Sequence, residues 1–357
     1  MILYNRKIDI IIPAYNVPEA TLRRALASIA SQNTIQDIEI TIVDDASTNE
    51  NYENIVAPFR AFCPIKILKN QINAGPGVAR QTGLNNTNNE YIIFMDADDT
   101  FYDCFSVQHL RDGIEEEGND PNDVYQAAAG VFLECINEYN NKLVHGYMNV
   151  EVHKKNFVHV FAKIYRRSFI EKYEIKFHPT SRANEDAGFT TAIRLIANEH
   201  EKINFIEEVV YCWRENLSSI TRRNKGFYSY GTSSQENFGG YIENMIYAQR
   251  LAKEKAPNNI EQFNQWSVRV LVFSYQHYIE NYRKHKKETE ENLYWVKLYY
   301  DEIYSKVENL ITPECLTAYF SNTIKTAYVR EDLNNVIPHI TFYDFLNKVK
   351  KLPKKRH

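Results

Sequence analysis

The chain is expected to fold as α/β, with a mostly parallel sheet flanked by helices and an α-helical region behind it. Three observations point that way. Near-continuous apolar runs rich in β-branched residues alternate with helically spaced segments over roughly the first hundred residues. Acidic or polar clusters stand directly behind several of those runs. After about Lys225, apolar and aromatic residues recur at three/four spacing instead.

"KIDIIIPAY", Lys7 to Tyr15, has the apolar continuity of a strand buried on both faces. "PEATLRRALASIASQ" follows, with Leu22, Ala25, Leu26 and Ile29 on one helical face and Pro18 placed to start the helix. A strand at "IEITIVDD", a helix around Tyr52 to Phe62, a strand at "IKILKN" and a helix from about Pro76 to Leu84 continue the alternation. The fourth strand, Tyr91 to Met95, runs straight into Asp96, Asp98 and Asp99. Such regularity implies parallel strands joined by right-handed crossovers.

From Val124 to Trp213 the pattern loosens into "AAAGVFLEC", "KLVHGYM", "INFIEEVVYCW" and a helix beginning near Glu185. Beyond Lys225, Phe263, Trp266, Val270, Phe273 and His277 form one stripe; Trp295, Leu298, Ile303, Val307 and Leu310 form another. These aromatic faces are expected to be buried against the preceding domain or a second subunit. Residues 1–225 are read as the catalytic domain and 226–357 as a helical region for assembly or acceptor docking. The tail "KVKKLPKKRH" reads as a mobile basic terminus.

Composition excludes several classes. A net charge of -4 gives no general reason to expect a polyanionic partner. The five cysteines are scattered and never form a C-x-x-C pair, which argues against a disulfide framework or structural zinc and for a reducing compartment. "MILYNRKIDIIIPAYN" is interrupted by Asn5, Arg6, Lys7 and Asp9, and no run reaches the roughly 18 apolar residues a spanning helix needs. A cytoplasmic chain without a transmembrane segment is expected, with peripheral attachment to a membrane left open.

The polar residues collect where ligands bind in open α/β sheets, behind the carboxyl ends of strands. Asp96-Ala97-Asp98 puts two carboxylates on one side if the strand continues. Two hard oxygen ligands suit Mg²⁺ or Mn²⁺ shared with a diphosphate; the plainer reading is a turn with an Asp cap. Asp44 and Asp45 are either a turn or an acceptor for the N3–H of uracil, with Tyr15 packing on the base. Arg80, in "NAGPGVARQTG", can orient the acidic cluster or meet a phosphate. That loop lacks the endings of the common phosphate-binding motifs. Asp186 is either a helix-start acid favoured by the dipole or a base for an acceptor hydroxyl, with Glu185 beside it. His159 and His178 could touch a sugar.

In order and spacing, "IIPAYN", "VDDAS", "N-x-G-x-x-x-A-R", "DADD", "YRRSFIEKYEIKF", "NEDAGF" and "YCWRENLSSITR" resemble the family 2 glycosyltransferases of GT-A fold, over roughly Lys7 to Arg223. The resemblance implies a sugar donor activated as a nucleoside diphosphate, usually UDP, a divalent metal, and inversion at the anomeric carbon. By motif, Pro13, Ala14, Tyr15 and Asp44 match nucleoside contacts. Arg80 falls near the diphosphate or donor sugar. Asp96 is the ribose- and metal-facing acid with Ala97 beside it, Asp98 the direct metal ligand, and Asp99 a further acid of the same cluster. Asp186 matches the catalytic base. Trp213 and Arg214 match an aromatic-Arg pair near the donor phosphates. Many relatives carry a His two residues after that Arg as an extra metal ligand; here it is Asn216, so protein or water can supply the third ligand.

The reading is therefore an inverting, metal-dependent, hexosyltransferase-like enzyme that moves a sugar from a UDP-sugar to an acceptor hydroxyl. Cell-envelope glycan, teichoic acid and glycolipid are compatible acceptors, and homo-oligomerisation through the C-terminal helices is compatible too. A hydroxymethylated base of phage DNA as acceptor, a nucleotidyltransferase, and a non-catalytic nucleotide-sugar-binding module are the alternatives.

Overall fold

The computed structural model describes residues 7–48, 51–116, 123–136, 149–155, 157–180, 184–198, 200–214, 235–282, 286–310 and 342–353. Asn216, the "KLVHGYM" segment and the last four residues of the basic tail lie outside them. The chain divides into two units, Met1–Leu217 and Ser218–His357.

The first unit is built on one nine-stranded sheet. Its parallel half comprises β1 (Ile8–Ala14), β2 (Ile38–Asp44), β3 (Ile65–Lys69) and β4 (Tyr91–Phe94), in the order β3-β2-β1-β4. Every residue of β4 is buried, as are six of the seven in β1, which explains why both read as unbroken apolar runs. Helices α1 (Glu19–Ala30), α2 (Tyr52–Val56) and α3 (Pro76–Asn85) make the crossovers. In α1 the spaced residues Leu22, Ala25, Leu26 and Ile29 are all buried, and each large aliphatic among them contributes about 1.5–3 kcal/mol. The helix expected to reach Phe62 turns into a 3₁₀ segment at Ala57–Ala61, where Pro58 stands in the first turn.

The other half of the sheet is mixed in direction. After β5 (Thr100–Phe101) and α4 (Ser106–Glu115) come β6 (Val124–Ile136), β7 (Asn149–His153) and β8 (Lys163–Arg166). Then follow α5 (Arg167–Lys172), α6 (Glu185–Ile196) and β9 (Glu201–Arg214). β8 is antiparallel to both β4 and β6, while β6 and β9 run parallel with register shifts. One shift brackets Gly130, where a Cβ would meet Val210 Cγ2 at 2.4 Å. Asp9, the charge inside the first apolar run, is buried. It pairs with Arg167 at 2.8 Å and accepts two hydrogen bonds from Asn89 at the end of the sheet opposite the acidic clusters.

The second unit contains α7 (Gln235–Lys255), α8 (Ile260–Tyr282), α9 (Lys286–Glu302) and α10 (Phe342–Lys351), with two 3₁₀ turns after α9. The second stripe is thus not one helix: α9 stops at Glu302, and Ile303 and Val307 are buried in the turns beyond it. Two residues of the first aromatic stripe, Phe273 and His277, find ring partners inside this unit. Phe238 stacks on His277 at 4.5 Å, Tyr241 lies 4.7 Å from Phe273, and Tyr275 lies 5.5 Å from Phe345. The start of the basic tail is likewise helical rather than mobile. Val349 is fully buried, Lys348 pairs with Glu290 at 2.6 Å, and Lys350 pairs with Glu308. No described helix is long and apolar enough to cross a membrane.

Candidate active site

Because β1 pairs in parallel with both β2 and β4, the three strands deliver their next residues to one edge. Short polar side chains shape the first two exits. Asn16 and Ala46 take positive φ, 49° and 63°; Asn tolerates this, whereas at Ala46 it is strain held by its surroundings. Asn16 N–H donates to Ser47 Oγ at 2.8 Å, and Asn16 Oδ1 accepts Thr48 N–H at 2.9 Å. Ala14 is buried, Pro13 is partly buried, and Tyr15 is 44% exposed beside them.

Asp44 and Asp45 are both buried. Asp44 accepts Ser47 N–H at 2.7 Å, with Lys69 Nζ 3.5 Å from its other oxygen. Asp45 accepts Asn70 Nδ2 at 2.8 Å and the N–H groups of Ala74 and Gly75, the latter at 2.7 Å. Asp45 therefore fastens the loop that opens α3. Gly75 caps that helix at φ 95°, a conformation open to glycine.

Behind β4, the acids face different ways. Asp96 and Asp98 stay partly exposed, while Ala97 and Asp99 are buried. Asp99 accepts Tyr211 OH at 2.9 Å and Arg214 N–H at 2.7 Å, and Asp96 N–H donates to Tyr211 Oη at 3.1 Å. Burial first, then the charges of Asp98 and Asp96, push the Asp99 carboxyl well above the usual range, against those two donors. Asp99 is thus the internal support of the loop. Arg24 completes the frame, donating to Asp98 O at 2.9 Å.

Arg80 spans the site. Its buried guanidinium donates to Asp96 Oδ1 and to Glu185 Oε1, both at 2.6 Å. Burial works against its charge, but Asp96, Glu185 and Asp186 outweigh it and raise its pKa. Of the two roles open to it, orienting the acids is the one its contacts serve. Gly77 makes room for the bridge, since a Cβ there would lie 2.8 Å from Glu185 Cγ.

Glu185 and Asp186 share the first turn of α6. Asp186 Oδ1 accepts Ala187 N–H at 2.7 Å, Oδ2 faces His159 Nδ1 at 3.3 Å, and the side chain is 25% exposed. Burial opposes its charge, yet His159, Arg80 and the Ala187 N–H hold the carboxyl below the usual carboxylate range. Glu185 is pushed up to about 7 by burial, with Asp186 adding and Arg80 opposing. The two neighbouring acids are thus shifted in opposite directions by their different surroundings.

Trp213 and Arg214 diverge. The Trp213 ring lies 5.5 Å from His159 and 5.9 Å from Phe161, whereas Arg214 Nε donates to Thr100 Oγ1 at 3.2 Å. His178 Nδ1 faces Thr180, 3.4 Å from both its N–H and its Oγ1, and His159 turns to Asp186. Sequence reasoning missed Tyr211, Phe161, Gly77 and Lys163. The two-residue spacing of Tyr211 and Trp213, which places both on one face of β9, was the available signal for the first. Lys163 is fully buried, donates to Phe161 O at 3.1 Å, and is lowered to about 7 by burial, with Asp186 opposing.

Among the described residues no group of three or more His, Cys, Asp or Glu side chains converges as a metal site. Asp96 and Asp98 are two hard oxygen donors with partial exposure, and Arg80 occupies one Asp96 oxygen. That set fits a Mg²⁺ or Mn²⁺ completing its shell with donor phosphates and water, not an all-protein site.

Residues 9–174 match the family model described as Glycosyl transferase family 2. The chain is 28% identical over 235 residues to Glycosyltransferase GlyA of Streptococcus pneumoniae serotype 4, covering 62% of this chain but 32% of that protein. Identity to the uncharacterized glycosyltransferase EpsJ of Bacillus subtilis is also 28%, over 60% of this chain and 62% of that one. The chain thus spans less than two thirds of either relative. The poly(ribitol-phosphate) beta-N-acetylglucosaminyltransferase TarS of Staphylococcus aureus is 26% identical over 62% of this chain and 39% of its own. The crystal structure of TarS 1-349 with UDP-GlcNAc superposes with a TM-score of 0.60 at 19% identity, covering 91% of this chain and 93% of that one, which shows the shared fold.

Proposed function

We propose, from the premise that residues 9–174 belong to glycosyl transferase family 2 and fold as a GT-A domain, that this chain moves a sugar from a UDP-sugar to an acceptor hydroxyl with inversion at the anomeric carbon. The observation that carries the reading is the bridge from Asp96 through Arg80 to Glu185, which fixes Asp186 relative to the Asp96–Asp99 loop. A divalent cation bound by Asp96 and Asp98 would offset the negative charge gathering on the departing diphosphate.

The chain's own groups do the rest. Tyr15, Pro13, Ala14 and Asp44 line the exits of β1 and β2, where the nucleoside is proposed to lie. Arg80 keeps the acids in register, and Asp186 accepts the acceptor's proton as its oxygen bonds to C1 and the bond from C1 to the diphosphate breaks, the electron pair leaving with UDP. Asp186 suits the part because it is ionised at neutral pH and partly open, whereas Glu185 is committed to Arg80.

For the acceptor we propose a hydroxyl-rich cell-envelope glycan or teichoic-acid-like polymer, supported by the name of the relative TarS. The helical unit is proposed to serve acceptor docking or assembly. UDP release from UDP-GlcNAc and other UDP-sugars, with and without such polymers, tests the function. Diphosphate release from a nucleoside triphosphate, with no UDP-sugar turned over, would sink it.

A further inference from the structure

His159 is the side chain facing Asp186 Oδ2, and the segment that carries it is pinned along its length. Thr190 Oγ1, on the helix of Asp186, donates to Val158 O at 2.8 Å. Tyr165 OH donates to Val160 O at 3.1 Å, Lys163 Nζ to Phe161 O at 3.1 Å, and Gly130 N–H to Ala162 O at 3.0 Å. Ala162 sits at φ 56°, backbone strain that these bonds hold in place. The His159 ring is stacked on Phe161 at 4.8 Å and 6°, and Phe161 is stacked on Tyr211 at 4.8 Å and 10°. Phe132 and Trp213 close the sides at 5.7 Å and 5.5 Å from His159. One column of three rings therefore runs from Asp186 to the Tyr211 hydroxyl, which bonds the Asp96–Asp99 loop at its other end.

We propose that His159 is a positioning residue for the base. By donating from Nδ1 it fixes the Asp186 carboxylate so that a lone pair is left toward the acceptor hydroxyl, and the ring column gauges that setting against the metal-binding loop. The inference rests on Asp186 being the base. His159 keeps its own proton while Asp186 takes that of the acceptor. Arg80, Glu185, Lys163 and Tyr165 also bear on Asp186 electrostatically, so the contribution of His159 has to be isolated by substitution.

Two variants separate hydrogen bonding from packing. His159→Phe keeps a ring on Phe161 and loses the donor; His159→Asn keeps a donor near the Nδ1 position and loses the ring. The first readout needs no substrate: the titration of the Asp186 carboxyl carbon followed by NMR, assigned against Asp186→Asn. Its midpoint should rise by about one unit in His159→Phe and by less in His159→Asn. The second is hydrolysis of UDP-GlcNAc with Mn²⁺ in the full chain. There kcat should fall about tenfold in His159→Phe with KM unchanged, and His159→Asn should recover part of the loss. An unmoved midpoint in His159→Phe, or His159→Asn being the worse of the two, overturns the proposal while leaving the base assignment standing. Wild-type turnover by Asp186→Asn overturns the base assignment and the proposal with it.

Discussion

Glu185 and Asp186 are chain neighbours on one helical turn, yet Arg80 and His159 give them different work. Both were legible as candidates, because an acidic pair opening a helix is visible in "NEDAGF". The resemblance pointed to Asp186 as the base; what the sequence could not show is how the two acids are held, by an arginine and a histidine brought from 105 and 27 residues away. Asp186→Asn should lower transfer about 10²–10⁴-fold while UDP-sugar affinity, read by calorimetry, holds. Asp98→Asn should instead abolish the Mn²⁺-dependent part of UDP binding; unchanged affinity with and without Mn²⁺ would remove Asp98 from the metal site. Glu185 carries a signed pH effect. With a pKa near 7 when folded against 4.5 unfolded, it holds more proton in the folded chain between those values. Its stabilising contribution is complete below pH 4.5 and is lost as pH rises through 7. Thermal melts of wild type and Glu185→Gln should therefore diverge across that window, by on the order of 3 kcal/mol, with the variant the flatter.

At the scale of elements, legibility followed burial. β1, β2 and β4 are nearly enclosed and read as strands without ambiguity, whereas β6 and β9 were read as "AAAGVFLEC" and "INFIEEVVYCW", short of their ends, because register shifts break their period. The end of α9 was missed because apolar spacing continues through the 3₁₀ turns beyond it. Close approach of α3 to the sheet supplies a test: a Cβ on Gly83 would fall 2.4 Å from Ile11 Cγ2 and 3.3 Å from Val43 Cγ2. Gly83→Ala should lower the urea midpoint by an amount worth about 1–3 kcal/mol. In the helical unit, Tyr299 OH donates to Gln249, whose Nε2 donates to Ser267 Oγ at 2.8 Å, joining α9, α7 and α8 through buried groups. Tyr299→Phe strands the Gln249 acceptor and should cost about 1–3 kcal/mol in the same measurement; an unchanged midpoint would show that water replaces the hydroxyl.

At the scale of the molecule, all the donor and base candidates fall within Met1–Leu217, and each unit has its own buried residues. The fragment Met1–Leu217 should accordingly fold and bind UDP by calorimetry, yet lose transfer to a polymeric acceptor if the helical unit docks it. Full transfer by the fragment would remove that role. The Asp99 contacts also set a timetable. The first four strands can pair once residue 94 has left the ribosome, but the hydroxyl and N–H that satisfy Asp99 arrive 112 and 115 residues after it. In a nascent chain stopped before Tyr211, neither of these two donors to Asp99 is yet present. The proposed donor site is therefore expected to be completed only at the end of synthesis of this unit, with the long β6–β9 closure, rather than the fast local pairing before it, setting when.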